Sequence, residues 1–241
     1  MKKKTLICFL PLIFSFSCQK DLIEYGQGDL KIYVEQGEHW VHDFSLFMGI
    51  KIKNSPQIAI WLEDTQGNYL STVYVSHKIA TQSWKVPRKE ALPHWQHARA
   101  LKNLDGTTGA TSQGGVNIQS VTDGVTGATP RGSFDVKLRP TGLLNRFVVK
   151  IELNHSTDFN ESYPESAKEG ELNYSGGKDG SGQPAVVYAA DIDLLSGVRS
   201  FEAVLIGHSS PDGTSGKIET DLSRLTTAIH IVKQITITIQ P

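Results

Sequence analysis

Ile231-Val232-Lys233-Gln234-Ile235-Thr236-Ile237-Thr238-Ile239 alternates apolar and polar residues after its first two positions. A period of two places the isoleucines on one face of a strand and the threonines on the other, the pattern of a half-buried sheet. The same period recurs upstream. Leu30, Ile32 and Val34 alternate with Lys31, Tyr33 and Glu35, and Ser45 to Lys53 alternates through Leu46, Met48, Ile50 and Ile52. Gln57 to Glu63 and Tyr69 to Ser76 flank Thr65-Gln66-Gly67-Asn68, which predicts a β-hairpin. Further strands are expected at Ser133 to Leu138, Arg146 to Asn154, Ala185 to Leu194, Phe201 to Gly207 and Ile229 to Ile239. Only Ala91 to Leu101 reads as helical, with Pro93 suited to a first turn. Strands without long crossover helices pair antiparallel, so we expect an all-β sandwich of seven to nine strands.

The remaining composition narrows the function. The 241 residues hold 24 Lys+Arg against 25 Asp+Glu, with no basic field for a nucleic-acid backbone. Both cysteines, Cys8 and Cys18, lie near the N-terminus, which excludes a disulfide scaffold and a cysteine-based zinc site. Lys2, Lys3 and Lys4 precede an apolar run from Leu6 to Phe16 that is too short for a permanent membrane span. It ends in Ser15-Phe16-Ser17-Cys18, which resembles a bacterial lipoprotein signal with Cys18 as the lipidated first residue. An ordinary secretory signal cut nearby is the alternative. The expected organisation is a signal over 1–17, a lipid-anchored tether over 18–28 and one β-sandwich domain over 29–241. Loss of Lys2, Lys3 and Lys4 takes the formal charge from −1 to −4, and the resemblance to a lipoprotein signal implies a place in the cell envelope, periplasmic or on the outer-membrane surface.

The segment from Asn103 to Ser133 carries seven glycines and six threonines and reads as a long functional loop. A second Gly-, Ser- and Glu-rich stretch, Asn154 to Pro184, reads as another exposed excursion. The first contains a repeat: Asp105-Gly106-Thr107-Thr108-Gly109-Ala110-Thr111 and Asp123-Gly124-Val125-Thr126-Gly127-Ala128-Thr129. Each copy resembles the sequence that a flavin transferase recognises in proteins carrying covalent FMN. By that resemblance Thr129 and Thr111 are the acceptors, and Asp123, Asp105, Thr126, Gly127 and Ala128 belong to the recognised motif. Small, Gly-flanked residues can enter another enzyme's active site, and the aspartates can orient the loop by Asx-type hydrogen bonds. Acceptors of this kind must be exposed and clear of regular strands. The bland alternative is a pair of Gly-Thr turns.

Ile58 to Asp64 with Gly67, Leu92-Pro93-His94-Trp95, and Asp123 to Thr129 followed by Pro130 resemble DUF2271, an exported family. The similarity would run from Ile58 to the end. It implies an Ig-like antiparallel β-sandwich with long Gly/Thr-rich loop insertions, and an association with PepSY-type membrane redox proteins. It implies no catalytic residue.

Other candidates read as weaker. His39 and His42 would sit on opposite faces of a strand, whereas His94 and His97 share a helix face and are weak metal candidates. Trp61 belongs in the core; Trp84 and Trp95, in polar contexts, read as surface residues. Asp191 and Asp193 share a strand face. No nucleophile elbow, Walker loop, dinucleotide fingerprint or His-Glu-x-x-His occurs, which argues against an enzyme. The expected function is a redox accessory or electron carrier with covalent FMN, served by a flavin transferase. The competing one is a non-catalytic envelope module contacting a protein partner or glycan.

Overall fold

A computed structural model describes residues 29–45, 51–84, 87–104, 125–139 and 144–241. Strand β1 (Leu30–Gln36) buries Leu30, Ile32 and Val34, as its alternation requires. The hairpin β2 (His42–Ser45) and β3 (Lys51–Asn54) forms a separate two-stranded sheet. Then come β4 (Gln57–Glu63), β5 (Tyr69–Ser76), helices α1 (His77–Thr81) and α2 (Pro93–Leu104), and the short β6 (Val125–Gly127). The remaining strands are β7 (Phe134–Leu138), β8 (Arg146–Asn154), β9 (Val186–Asp193), β10 (Ser200–Glu202), β11 (Val204–Ser209), β12 (Ile218–Glu219) and β13 (Val232–Ile239).

One sheet has the order β10-β13-β1-β7 and the other β12-β11-β9-β8-β4-β5-β6. Every pairing is antiparallel except β5 with β6. Among the described residues the two sheets hold eleven strands, more than the seven to nine expected, because β6, β10 and β12 are too short to register as a period. Between the sheets, Ile58, Ile60 and Leu62 of β4 and Val149, Ile151 and Leu153 of β8 meet Leu30, Ile32, Ile235 and Ile237 in one core. On the outer face of the larger sheet, Ala59 and Trp61 pack with Ile79, Ala91, Leu92 and Trp95 beneath the two helices. That third layer explains why all seven residues of β4 are buried.

Several expectations need correction. Ser45 to Lys53 is not one strand but parts of two antiparallel arms, with 46–50 outside the described residues. Both arms share a period of two, so alternation does not mark where the chain reverses. Phe201 to Gly207 is split at Ala203, whose amide bonds Ile235 in one sheet while Val204 pairs Ala189 in the other. The C-terminal strand begins at Val232, after a 3-10 turn at Ala228–His230. Helix α2 runs from Pro93 to Leu104, starting two residues and ending three residues later than expected, with Pro93 in its first turn as expected. The stretch from Asn154 to Pro184 is an exposed excursion only in part: residues 168–172 are exposed, whereas Tyr163, Ser175, Ser181 and Gln183 are buried. Gly182, at φ +78, lets its backbone lie against Asp158, where a Cβ would fall 2.4 Å from the Asp158 carbonyl.

Candidate functional site

The second copy of the repeat enters the described structure at Val125. Val125, Thr126 and Gly127 pair in parallel with Tyr74, Val75 and Ser76, which makes β6 the edge strand of the larger sheet. The expected long loop thus contains a strand, and its first two residues belong to α2. Gly127 suits this position because a Cβ there would lie 3.1 Å from the Tyr74 ring. Beyond the strand, Ala128 is exposed and Thr129 half-buried outside any regular element. Among the described residues no hydrogen bond engages the Thr129 hydroxyl.

The backbone on either side of Thr129 is held. The Tyr74 hydroxyl donates to the Ala128 carbonyl at 3.1 Å, and the Trp40 indole N–H donates to the Pro130 carbonyl at 3.2 Å. Phe134 lies against both rings, with centroids 5.6 Å from Tyr74 and 6.1 Å from Trp40. Burial pushes the Tyr74 phenol up to about 12, so it stays a neutral donor. The arrangement presents one threonine from a fixed edge. Asp105, Thr111, Asp123 and Cys18 lie outside the described residues.

A second polar group lies under α2. Glu152, fully buried on β8, accepts from the amides of His94 at 3.2 Å and Trp95 at 2.8 Å, and from the Ser209 hydroxyl. These are free amides of the helix's first turn, so the carboxyl caps α2. Burial raises its pKa to about 7, although all three donors act the other way. Glu63 accepts from the Trp61 indole at 2.8 Å and lies 3.6 Å from the Lys150 amine. His94 and His97 do share a helix face, but each turns to a backbone carbonyl: His94 Nδ1 to Gly216 at 2.7 Å and His97 Nε2 to Gly213 at 3.3 Å. His94 Nε2 stands 4.0 Å from Glu63, and burial first of all lowers the His94 pKa. Among the described residues no group of three histidines, cysteines or carboxylates is arranged to hold a metal.

A third group, beyond the top of β1, gathers His42, His155 and Asp158. His39 lies in a turn before β2, so His39 and His42 do not share a strand as expected. His155 Nε2 meets the His39 carbonyl at 2.9 Å, and its Nδ1 is buried without a partner. Burial drives the His155 pKa down to about 4. Thr157, between them, holds a left-handed φ of 59°. Trp61 is buried as expected; Trp95, only 2% exposed, is not the surface residue its polar neighbours suggested. Asp191 is exposed and Asp193 pairs with Arg146 at 2.9 Å rather than forming a carboxylate pair.

Sequence reasoning missed Tyr74, Trp40 and Phe134 as the frame around Thr129, and Glu152 as the cap. The signal for Glu152 was present: a lone carboxylate within Val148-Val149-Lys150-Ile151-Glu152-Leu153 must find donors if that strand is buried.

A family model described as "Predicted periplasmic protein (DUF2271)" matches residues 42–138, which span β2 to β7 and both copies of the repeat. The match is shorter than the resemblance implied, since it stops before β8. The description fits a protein of the cell envelope. No curated protein and no solved structure matches this chain. No described helix is long and apolar enough to cross a membrane.

Proposed function

We propose that the protein is an exported, lipid-anchored β-sandwich that carries FMN covalently on Thr129, with Thr111 as a second acceptor, and serves as an electron carrier or redox accessory. The observation that carries this reading is the placement of Ala128 and Thr129: they leave an edge strand at the rim of the sandwich, Ala128 exposed and Thr129 half-buried rather than fully exposed, with the carbonyls on both sides fixed and the Thr129 hydroxyl unengaged among the described residues. An isolated threonine hydroxyl is a weak nucleophile, so a transferase must activate it. In the attachment the Thr129 oxygen bonds the flavin-side phosphorus of FAD, the pyrophosphate bond breaks, AMP leaves with the electron pair, and the hydroxyl proton passes to solvent. Gly127 lets the segment lie against the Tyr74 ring, and Tyr74 and Trp40 hold its direction by bonding the carbonyls on either side of Thr129.

The bound isoalloxazine would supply the electron chemistry, and the protein its position and surroundings. Cys18 would join the domain to lipid through acyl chains, and a PepSY-type membrane protein would be the electron partner. The test is co-expression with a flavin transferase, followed by flavin fluorescence of the denatured protein. Fluorescence that survives denaturation, falls with Thr129→Ala and vanishes with Thr111→Ala added is the expected result. A colourless denatured wild type would leave an envelope binding module as the reading.

A further inference from the structure

The two ends of the sandwich differ in chemistry. Thr129, Trp40 and His42 lie at the end where β1 finishes. At the other end Leu30 pairs with both Leu138 and Ile239, and Arg146 pairs with Asp193. Gln240 donates to the Asp29 carbonyl at 2.7 Å, Ile239 to Arg199 at 2.9 Å and Leu194 to Asn145 at 2.9 Å, which ties the loops of this end together. Here three apolar side chains stand in solvent: Leu195 is 75% exposed, Val198 45% and Leu144 38%. The turn carrying Leu195 and Val198 reverses at Gly197, at φ +76, where a Cβ would meet nothing within 4 Å. It projects into open space.

Three arginines lie around this tip, two of them paired with aspartates that sit deeper than they do. Arg139 and Arg146 are 65% and 71% exposed, while their partners Asp29 and Asp193 sit deeper at 6% and 29%. Arg199 is exposed beside Val198. Asp64 lies on the β4–β5 turn at the same end, so charge attraction is modest and the apolar side chains must supply most of the contact. Asp29 is also where the chain from Cys18 enters. Eleven residues separate the two in sequence, a reach of at most about 40 Å.

We propose that this tip lies against the lipid surface, with Leu195 and Val198 seated at the boundary between headgroups and acyl chains and the arginines among anionic headgroups. The proposal rests on the reading of Cys18 as an acylated anchor, which holds the tip at high effective concentration near lipid. Its consequence is orientation. Thr129 would stand one strand length away, about 23 Å for the seven residues of β1, and face the aqueous side where a transferase can reach it.

The experiment uses the mature acylated protein in phosphatidylethanolamine–phosphatidylglycerol vesicles. Leu195→Cys, or Leu172→Cys at the opposite end, takes a polarity-sensitive fluorophore; Cys18 is blocked by its acyl chain and Cys8 is removed with the signal. The label at 195 should shift to shorter wavelength on vesicles and be quenched by brominated acyl chains. The label at 172, where the native leucine is 92% exposed, should do neither. An acylated protein whose 195 label stays aqueous overturns the tip and leaves the anchor standing. A shift that appears without vesicles as protein concentration rises assigns the tip to a second copy and overturns the proposal. A mature mass without acyl chains, with a second label on Cys18, removes the anchor and the proposal with it.

Discussion

Replacing Glu152 with glutamine should change how stability depends on pH, by an amount the structure sets. The carboxyl is fully buried and caps α2 through the His94 and Trp95 amides. Its pKa is raised from 4.5 to about 7, with burial outweighing the donors. A raised pKa means the folded chain keeps the proton over a window in which the unfolded chain has lost it. The associated stability is complete below the unfolded value and is lost as pH rises through the folded one. That separation is worth roughly 3 kcal/mol, a large part of a typical domain's 5–15 kcal/mol. Glutamine keeps the shape and one carbonyl acceptor but does not titrate. The unfolding free energy of Glu152→Gln minus that of wild type should therefore rise by about 3 kcal/mol between about pH 4 and pH 8. The difference is the quantity to read, because His155 titrates with the opposite sign and flattens the wild-type curve. Urea unfolding followed by tryptophan emission, with equal slopes in both proteins, supplies it. Parallel curves for the two proteins would refute the assignment of Glu152 as a buried, protonatable cap.

Three further outcomes follow from particular contacts. His155 has its pKa lowered from 6.5 to about 4 by burial, so its stability is present above the unfolded value and lost as pH falls through the folded one; His155→Gln should remove roughly 3 kcal/mol of acid-side loss, read from the same urea titration. Arg88 is buried with its Nε 2.8 Å from Glu90 and donates to Ser156 and Ser181, so Arg88→Met should cost about 3–5 kcal/mol by stranding a buried carboxylate, while a loss under about 1 kcal/mol would show that Glu90 finds other donors. Trp40→Phe removes the donor to Pro130 and should destabilise by about 1 kcal/mol while speeding hydrogen exchange in residues 125–134 relative to β1.

How much of this was legible depended on how many faces an element buries. β1 and β13 each bury one face, so Leu30-Ile32-Val34 and Ile235-Ile237 announced themselves by period two. β4 buries both faces, and its run of Ile58-Ala59-Ile60-Trp61-Leu62 was readable as a strand without revealing the helical layer on Trp61. Helix α1 escaped because His77-Lys78-Ile79-Ala80-Thr81 is a little over one turn, too short for a 3.6 period to repeat. Trp95 looked exposed because His94 and His97 flank it, yet it packs with Ala91 and Leu92, which lead into α2, against Ala59 and Trp61 of β4. The repeat itself was visible letter by letter. Its frame was not, since Trp40, Tyr74 and Phe134 come from the segment after β1, from β5 and from β7 and meet only after both sheets have closed.

The most direct test of the central claim is a peptide-level mass measurement on the mature protein isolated from cells that also make a flavin transferase. The account predicts a peptide spanning Asp123 to Arg131 that carries the mass of one FMN less water, with fragment ions placing it on Thr129. A peptide recovered wholly unmodified, from cells in which a known acceptor protein is flavinylated, would contradict it.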